Sequence, residues 1–330
     1  MSSEVILIDY DSALLAPEGW EAEYLAELRI VWRTFQCRSA EEVLAAAKDA
    51  EVVVIQTTVP LLTGAVLAQL PNCRCAVRAG AGYDSIDYVA ATELGIMVSY
   101  TPTYCTGVVA DHAMALLLAA NRHIARLDAA VRQGRFARAL AAPTRSLQGA
   151  TLGIIGLGRI GSAVAQRMQG WNPTLLVYDP YITQEYADGF HARLVSLEEL
   201  LQSADMISVH CPLTPETFHL LDWDQFKLMK PGMVLVNTAR GPIIHEQALV
   251  QAIQDYIVRS AGLDVFEKEP LPANSPLYQL DRITLTPHIS ATSPEARHNL
   301  YVLVCELARD VINGKVPPFL VNPEVLTHRR

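Results

Sequence analysis

The chain has 330 residues, enough for about two domains of roughly 150 residues each and two full cores without disulfide staples. Hydrophobic residues make up 51% and charged residues 18%, which excludes a disordered chain and points to parallel sheets covered by helices on both faces. The 26 Lys and Arg against 35 Asp and Glu give a net charge of −9, which disfavours a general nucleic-acid binder with its basic stripe.

In chain order, the first hundred residues alternate apolar runs with amphipathic segments. Strands are predicted at Val5–Asp9, Val52–Gln56, Ala76–Arg78 and Ile96–Tyr100, and helices at Ser39–Lys48, Thr63–Leu70 and Ile86–Glu93. Thr101-Pro102-Thr103 breaks this series, and one long helix is predicted from Val108 to about Arg126. A second alternating series has strands at Leu152–Ile155, Leu175–Tyr178, Arg193–Val195, Met206–His210, Val234–Thr238, Ser260–Asp264 and Ile283–Thr286. Helical segments such as Ser196–Gln202 and Gln247–Gln254 lie between them, and a helix from Glu295 to Asn313 closes the chain. The expected fold is therefore α/β, with two doubly wound parallel-sheet domains. A dinucleotide-binding Rossmann domain spans 102–299. A discontinuous, flavodoxin-like substrate domain is built from 1–101 and 300–330, the last helix returning to the first sheet.

The apolar stretch Val108–Ala120 contains Asp111 and His112 and falls short of the ~20 residues of a membrane span, so it reads as a buried helix. The opening Met1–Tyr10 has no basic n-region and no small-residue cleavage site, so no secretory signal is read there and the cytoplasm is the expected compartment. Cysteines at 37, 73, 75, 105, 211 and 305 form no Cys-x-x-Cys pair and read as free thiols, with no zinc spacing and no expected metal site.

Gly156-Leu157-Gly158-Arg159-Ile160-Gly161 follows an apolar strand and opens a helical run, the context a dinucleotide fingerprint requires. Gly156 is expected to make the tight turn, Gly158 to admit the pyrophosphate, and Gly161 to let helix and strand pack closely. The next strand ends at Asp179, placed to hold ribose hydroxyls and to repel a 2′-phosphate. No Arg or Lys follows in Pro180-Tyr181-Ile182, so NAD is expected rather than NADP.

Three further signals lie at strand ends, where ligands collect in open α/β sheets. Arg240 follows one strand, carboxylates at 264, 267 and 269 follow the next, and His288 follows the last. This set suits oxidation of a 2-hydroxy acid. The Arg grips a carboxylate in a bidentate fork, the His exchanges the hydroxyl proton as hydride moves, and a nearby Glu stabilises the imidazolium.

With these residues in view, the chain resembles the NAD-dependent D-2-hydroxyacid dehydrogenase family, which includes 3-phosphoglycerate dehydrogenase and the C-terminal-binding-protein corepressors. The similarity runs from about Val52 to Val311. It rests on Arg78-Ala-Gly-Ala-Gly-Tyr-Asp-Ser-Ile-Asp, the glycine motif, Tyr-Asp-Pro-Tyr, Asn-Thr-Ala-Arg-Gly, Leu-Asp-Val-Phe-Glu-Lys-Glu-Pro and Thr-Pro-His. The resemblance implies that Arg240 binds and polarises a 2-oxo acid, that His288 is the acid/base, and that Glu269, not Glu267, tunes it. It implies that the loop from Arg78 through Ala79 and Gly80 to Gly82 offers backbone N–H groups to the substrate carboxylate. Arg78 could also recognise a second anionic group. Cofactor contacts are implied at Gly156, Gly158, Arg159, Ile160, Gly161 and Asp179, in the Cys211–Thr217 loop at Cys211, Pro212 and Thr217, and at Thr238, Ala239 and Asp264. Asp264 is implied to face the nicotinamide amide. A homodimer is expected, since relatives commonly pair through the cofactor domain.

Two positions depart from the family pattern. His245 stands where relatives usually carry Asp, and it reads as part of a polar helix N-cap region. Ala291 stands where the corepressors usually carry Trp, which points away from an NAD-sensing binding protein, the main alternative to an enzyme.

Overall fold

A computed structural model of the chain describes residues 3–141 and 143–330. Their contacts form two compact units. The first holds the chain up to Cys105 and from Thr292 onward; the second is Thr106–Ala291.

Among the described residues the first unit has a five-stranded sheet of β1 (Ser3–Ile8), β2 (Ile30–Phe35), β3 (Val52–Ile55), β4 (Cys75–Arg78) and β5 (Met97–Tyr100). All pairings are parallel, in the order β2-β1-β3-β4-β5, which is the flavodoxin-like arrangement. The central strands are buried on both faces, so Val52–Ile55 reads as one apolar run rather than an alternation. The helix Ala40–Ala47 is capped by Ser39, whose Oγ accepts the N–H of Glu42 at 3.3 Å. The closing helix Pro294–Ile312 starts at the Ser293 cap and packs on β3 and β4. Tyr301, fully buried on that helix, donates to the Leu15 carbonyl at 2.7 Å. Because this helix is one continuous piece, the return to the first sheet begins at Thr292 and not at 300. The other division falls at the start of the helix Thr106–Arg122 rather than at 101.

The second unit has a seven-stranded sheet of β6 (Thr151–Ile155), β7 (Thr174–Tyr178), β8 (Ala192–Leu194), β9 (Met206–Val209), β10 (Met233–Asn237), β11 (Val258–Leu263) and β12 (Ile283–Leu285). The order β12-β11-β10-β9-β6-β7-β8 is parallel throughout, a Rossmann sheet extended by a seventh strand. One apolar cluster, with Phe226, Leu235 and Leu249, covers one face, and a second, with Leu117, Leu152 and Val164, covers the other. The chain order reverses between β6 and β9, and the loops described below leave the carboxyl ends of these strands.

The long helix expected to reach Arg126 ends at Arg122. His123 adopts a left-handed conformation (φ 53°), and a separate helix runs Ile124–Arg132. No Gly or Pro marks the break. The imidazole is instead buried, with Nε2 3.4 Å from the Pro143 carbonyl. Among the described residues no helix is long and apolar enough to cross a membrane.

Candidate active site

β6 leaves the sheet through Gly156, whose φ of 90° and closeness to the next loop (an added Cβ would lie 2.7 Å from Cys211 N) admit only glycine. Gly161 sits against the Gly156 carbonyl, 2.1 Å from where a Cβ would fall, whereas nothing lies within 4 Å of the Cβ position of Gly158. The turn is thus packed at its first and third glycines and open at its second, the shape a pyrophosphate needs. Gly158 caps the helix Arg159–Met168 without a side-chain hydrogen bond, so Arg159 and Ile160 begin a helix whose positive end is not covered by a capping side chain. Asp179 closes the far side. Its Oδ2 accepts Leu157 N–H at 2.9 Å and its Oδ1 accepts Tyr181 N–H at 3.0 Å, which locks the carboxylate beside the turn.

The loop after β9 is pinned by Thr217, whose hydroxyl donates to the Pro212 carbonyl at 2.7 Å and accepts Thr214 N–H at 2.8 Å. Burial pushes the Cys211 thiol up to about 12, so it is a neutral wall and not a nucleophile. After β10, Asn237 fixes the turn: its Oδ1 accepts Ala239 N–H at 2.9 Å and its amide donates to the Arg240 carbonyl at 2.8 Å. The buried Thr238 hydroxyl has no hydrogen-bond partner, an orphan that a bound cofactor would satisfy. With the open side of Gly158, it makes these residues fit a dinucleotide.

His288 and Glu269, the expected acid–base pair, lie on the last two loops. His288 Nδ1 donates to Glu269 Oε2 at 2.6 Å, and Glu269 Oε1 accepts Phe266 N–H at 3.0 Å. The His288 side chain is 31% exposed, and with Nδ1 facing the carboxylate its Nε2 is the atom available for proton exchange. Asp264 is different. It is fully buried; Oδ1 accepts from the Thr286 hydroxyl at 2.6 Å and from Ile289 N–H at 3.0 Å, and Oδ2 accepts Ser290 N–H at 2.9 Å. Burial alone would raise its pKa, but the hydrogen bonds from Thr286, Ile289 and Ser290, with the His112 imidazole nearby, outweigh it and hold the carboxyl below its ordinary value. Three donors of the chain hold its two oxygens, so Asp264 anchors the loop that carries His288.

Arg78, Ala79 and Gly80 belong to the first unit, at the carboxyl end of β4. Arg78 is nearly buried and its guanidinium folds onto the Ala79 carbonyl. Ala79 N–H donates to Ile55 at 2.8 Å and Gly80 N–H to the Thr101 hydroxyl at 2.8 Å. The expectation that these two N–H groups are offered to a substrate carboxylate does not hold in this arrangement, because the sheet and Thr101 already use them.

Sequence reasoning set Glu267 aside and missed the side chains of His219, Asp222 and Glu246; the four join the loops after β9, β10 and β11. His245 is at the N-cap of the helix Glu246–Gln254, as expected, but it caps nothing; its Nδ1 donates to Asp222 Oδ1 at 2.7 Å. The one signal available was His245 itself, out of pattern.

Residues 114–290 match the family model for the D-isomer specific 2-hydroxyacid dehydrogenase, NAD binding domain. The chain belongs to the D-2-hydroxyacid dehydrogenase family. As a member it is an NAD-dependent oxidoreductase. A glyoxylate reductase of Korarchaeum cryptofilum is 37% identical over 302 residues, 91% of each chain. A D-3-phosphoglycerate dehydrogenase of Mycobacterium tuberculosis is 40% identical over 282 residues, 86% of this chain but 53% of that enzyme's length. Among solved structures, a glyoxylate reductase from Paecilomyes thermophila superposes with a TM-score of 0.87 at 31% identity, covering 98% of this dehydrogenase and 99% of the other chain. A D-lactate dehydrogenase from Aquifex aeolicus, complexed with NAD and lactic acid, gives 0.86 at 27%, covering 96% and 99%.

Proposed function

We propose that this dehydrogenase interconverts a small 2-oxo acid and its D-2-hydroxy acid, with His288 as the acid/base, Glu269 as its partner and Arg240 as the grip on the substrate. The observation that carries the reading is the 2.6 Å bond from His288 Nδ1 to Glu269 Oε2, which leaves Nε2 as the proton-exchanging atom. When bound, NADH would supply the hydride for C2 of the oxo acid. His288 Nε2 gives the proton that the C2 oxygen takes up, and Glu269 stabilises the imidazolium before that transfer. Arg240, its turn fixed by Asn237, binds the carboxylate in a planar fork and polarises the oxo group. Reduction is the proposed physiological direction.

Gly156, Gly158, Arg159, Ile160 and Gly161 would hold the pyrophosphate, and Asp179 the adenosine ribose, its charge disfavouring a 2′-phosphate. Cys211, Pro212, Thr217, Thr238 and Ala239 would line the rest of the cofactor. A homodimer through the second unit is the proposed assembly. It is supported by the apolar recess of about 280 Å³ beside Leu127, Val131 and Phe136 and by the 79% exposure of Phe136. The proposed compartment is the cytoplasm, where the six cysteines stay reduced.

The test is NADH consumption with glyoxylate, pyruvate, hydroxypyruvate, phenylpyruvate and 3-phosphohydroxypyruvate. Turnover of one or more supports the reading and ranks the side chains accepted. Tight NADH binding with no turnover on any would favour an NAD sensor.

A further inference from the structure

Three loops meet beside the proposed acid–base pair, and side chains with no role in the reaction above hold them together. Arg240 and Gly241 open the loop after β10; Phe266, Glu267 and Glu269 follow β11. The two loops touch backbone to backbone: a Cβ on Gly241 would lie 1.9 Å from the Phe266 carbonyl carbon and oxygen, so only glycine fits. A few residues on, they exchange reciprocal bonds. Glu246 N–H donates to Glu267 Oε1 at 2.8 Å, and Glu267 N–H donates to Glu246 Oε1 at 2.6 Å.

The loop after β9 joins the same knot. Leu221 N–H donates to the Ile243 carbonyl at 3.1 Å and His245 N–H to the Leu221 carbonyl at 3.0 Å, a short parallel bridge. His219 Nε2 lies 3.1 Å from Glu267 Oε1, and its ring stacks on His245 at 4.5 Å between centroids and 10° between planes. Glu246 is half-buried; burial, with Glu267 and Glu269 nearby, pushes its carboxyl up.

We propose that Glu246 and Glu267 are positioning residues: their reciprocal bonds lock the Arg240 loop to the Glu269 loop and so fix the orientation in which Glu269 holds His288. Glu269 is the last link, because its Oε1 is anchored on Phe266 N–H, the residue before Glu267. A shift of the clasp therefore reaches the imidazole through one peptide link and two hydrogen bonds. This inference rests on the reading of His288 and Glu269 as the acid–base pair.

The experiment compares Glu246→Ala and Glu267→Ala with Glu246→Gln and Glu267→Gln, which keep the Oε1 acceptor and the side-chain length. Each Ala variant is expected to lower kcat with the best oxo acid by about tenfold, as a small misplacement of reacting groups does, while the Kd for NADH stays within about twofold. Each Gln variant is expected to recover to within about threefold of the parent. The double Ala variant is expected to be no worse than either single one, since the two bonds act as one clasp. In the Ala variants, ¹⁵N NMR of labelled histidine is expected to show the His288 Nδ1–H tautomer signal broadened or lost, assigned by its absence in His288→Asn. Should the Ala variants be too unstable to purify, Glu267→Asp, one methylene shorter, takes their place with the same readouts. Parental kcat in the Ala variants, loss without recovery by Gln, or an unchanged His288 signal would overturn the proposal. If His288→Asn itself keeps full activity, the acid–base reading falls instead, and the two failures are distinct.

Discussion

Two carboxylates at the end of β11 sit five residues apart, and their surroundings separate their work. Asp264 is fully buried and held by donors from Thr286, Ile289 and Ser290, with His112 Nε2 3.6 Å away. Glu269 is a quarter exposed, takes one backbone N–H, and spends its other oxygen on His288. A fully buried carboxylate held by three donors of the chain is suited to hold a loop. One that faces a single partly exposed imidazole can stabilise a proton as it comes and goes. The family pattern alone gave both residues a part in the chemistry; burial and bonding divide them into an anchor and a partner.

Breaking the Glu269 side should cost turnover and leave stability alone. His288→Asn is expected to lower kcat by ~10²–10⁴ with NADH binding intact, read by steady-state kinetics beside fluorescence titration of NADH. Glu269→Gln keeps the shape and removes the charge, and should cost about ten- to a hundredfold in kcat by the same assay.

Breaking the Asp264 side should do the reverse. Asp264→Asn leaves one buried donor facing an amide N–H, so it should destabilise the second unit by about 1–3 kcal/mol, read by chemical denaturation at pH 7. The sign with pH follows from the lowered pKa of Asp264 in the fold. The stability it contributes is present above the unfolded value of about 3.9 and is lost as the pH falls through the lower folded value. The gap between the parent and Asp264→Asn should therefore close in acid; a gap that widens there would contradict the anchor role. The smallest effect is expected at the cofactor's far end. Asp179→Ala should raise the NADPH-to-NADH ratio of kcat/KM by about five- to tenfold, since it removes the charge that repels a 2′-phosphate.

The division into two parallel sheets was legible because strands buried on both faces are written as plain apolar runs, as in Val52–Ile55 and Met233–Val236. β2 was not legible. Ile30–Phe35 is an edge strand pairing only with β1, half of its residues exposed, and Arg33 and Thr34 dilute the pattern. The break at His123 was hidden too, because a buried imidazole beside Pro143 takes the place usually marked by glycine. Within the site, the glycine turn and His288 could be read because their chemistry is local in sequence. The clasp could not. Glu246 and Glu267 lie 21 residues apart, and only the register of β10 against β11 brings them face to face.

The central claim is that one imidazole, backed by Glu269 and flanked by Arg240, handles the proton of the C2 oxygen. The most direct measurement is a crystal structure of the dehydrogenase with NADH and a 2-oxo acid analogue. The account predicts His288 Nε2 within about 2.6–3.2 Å of the analogue's C2 oxygen, with the Arg240 guanidinium on its carboxylate. An analogue seated with that oxygen turned away from His288, and another side chain within reach of it, would contradict the account.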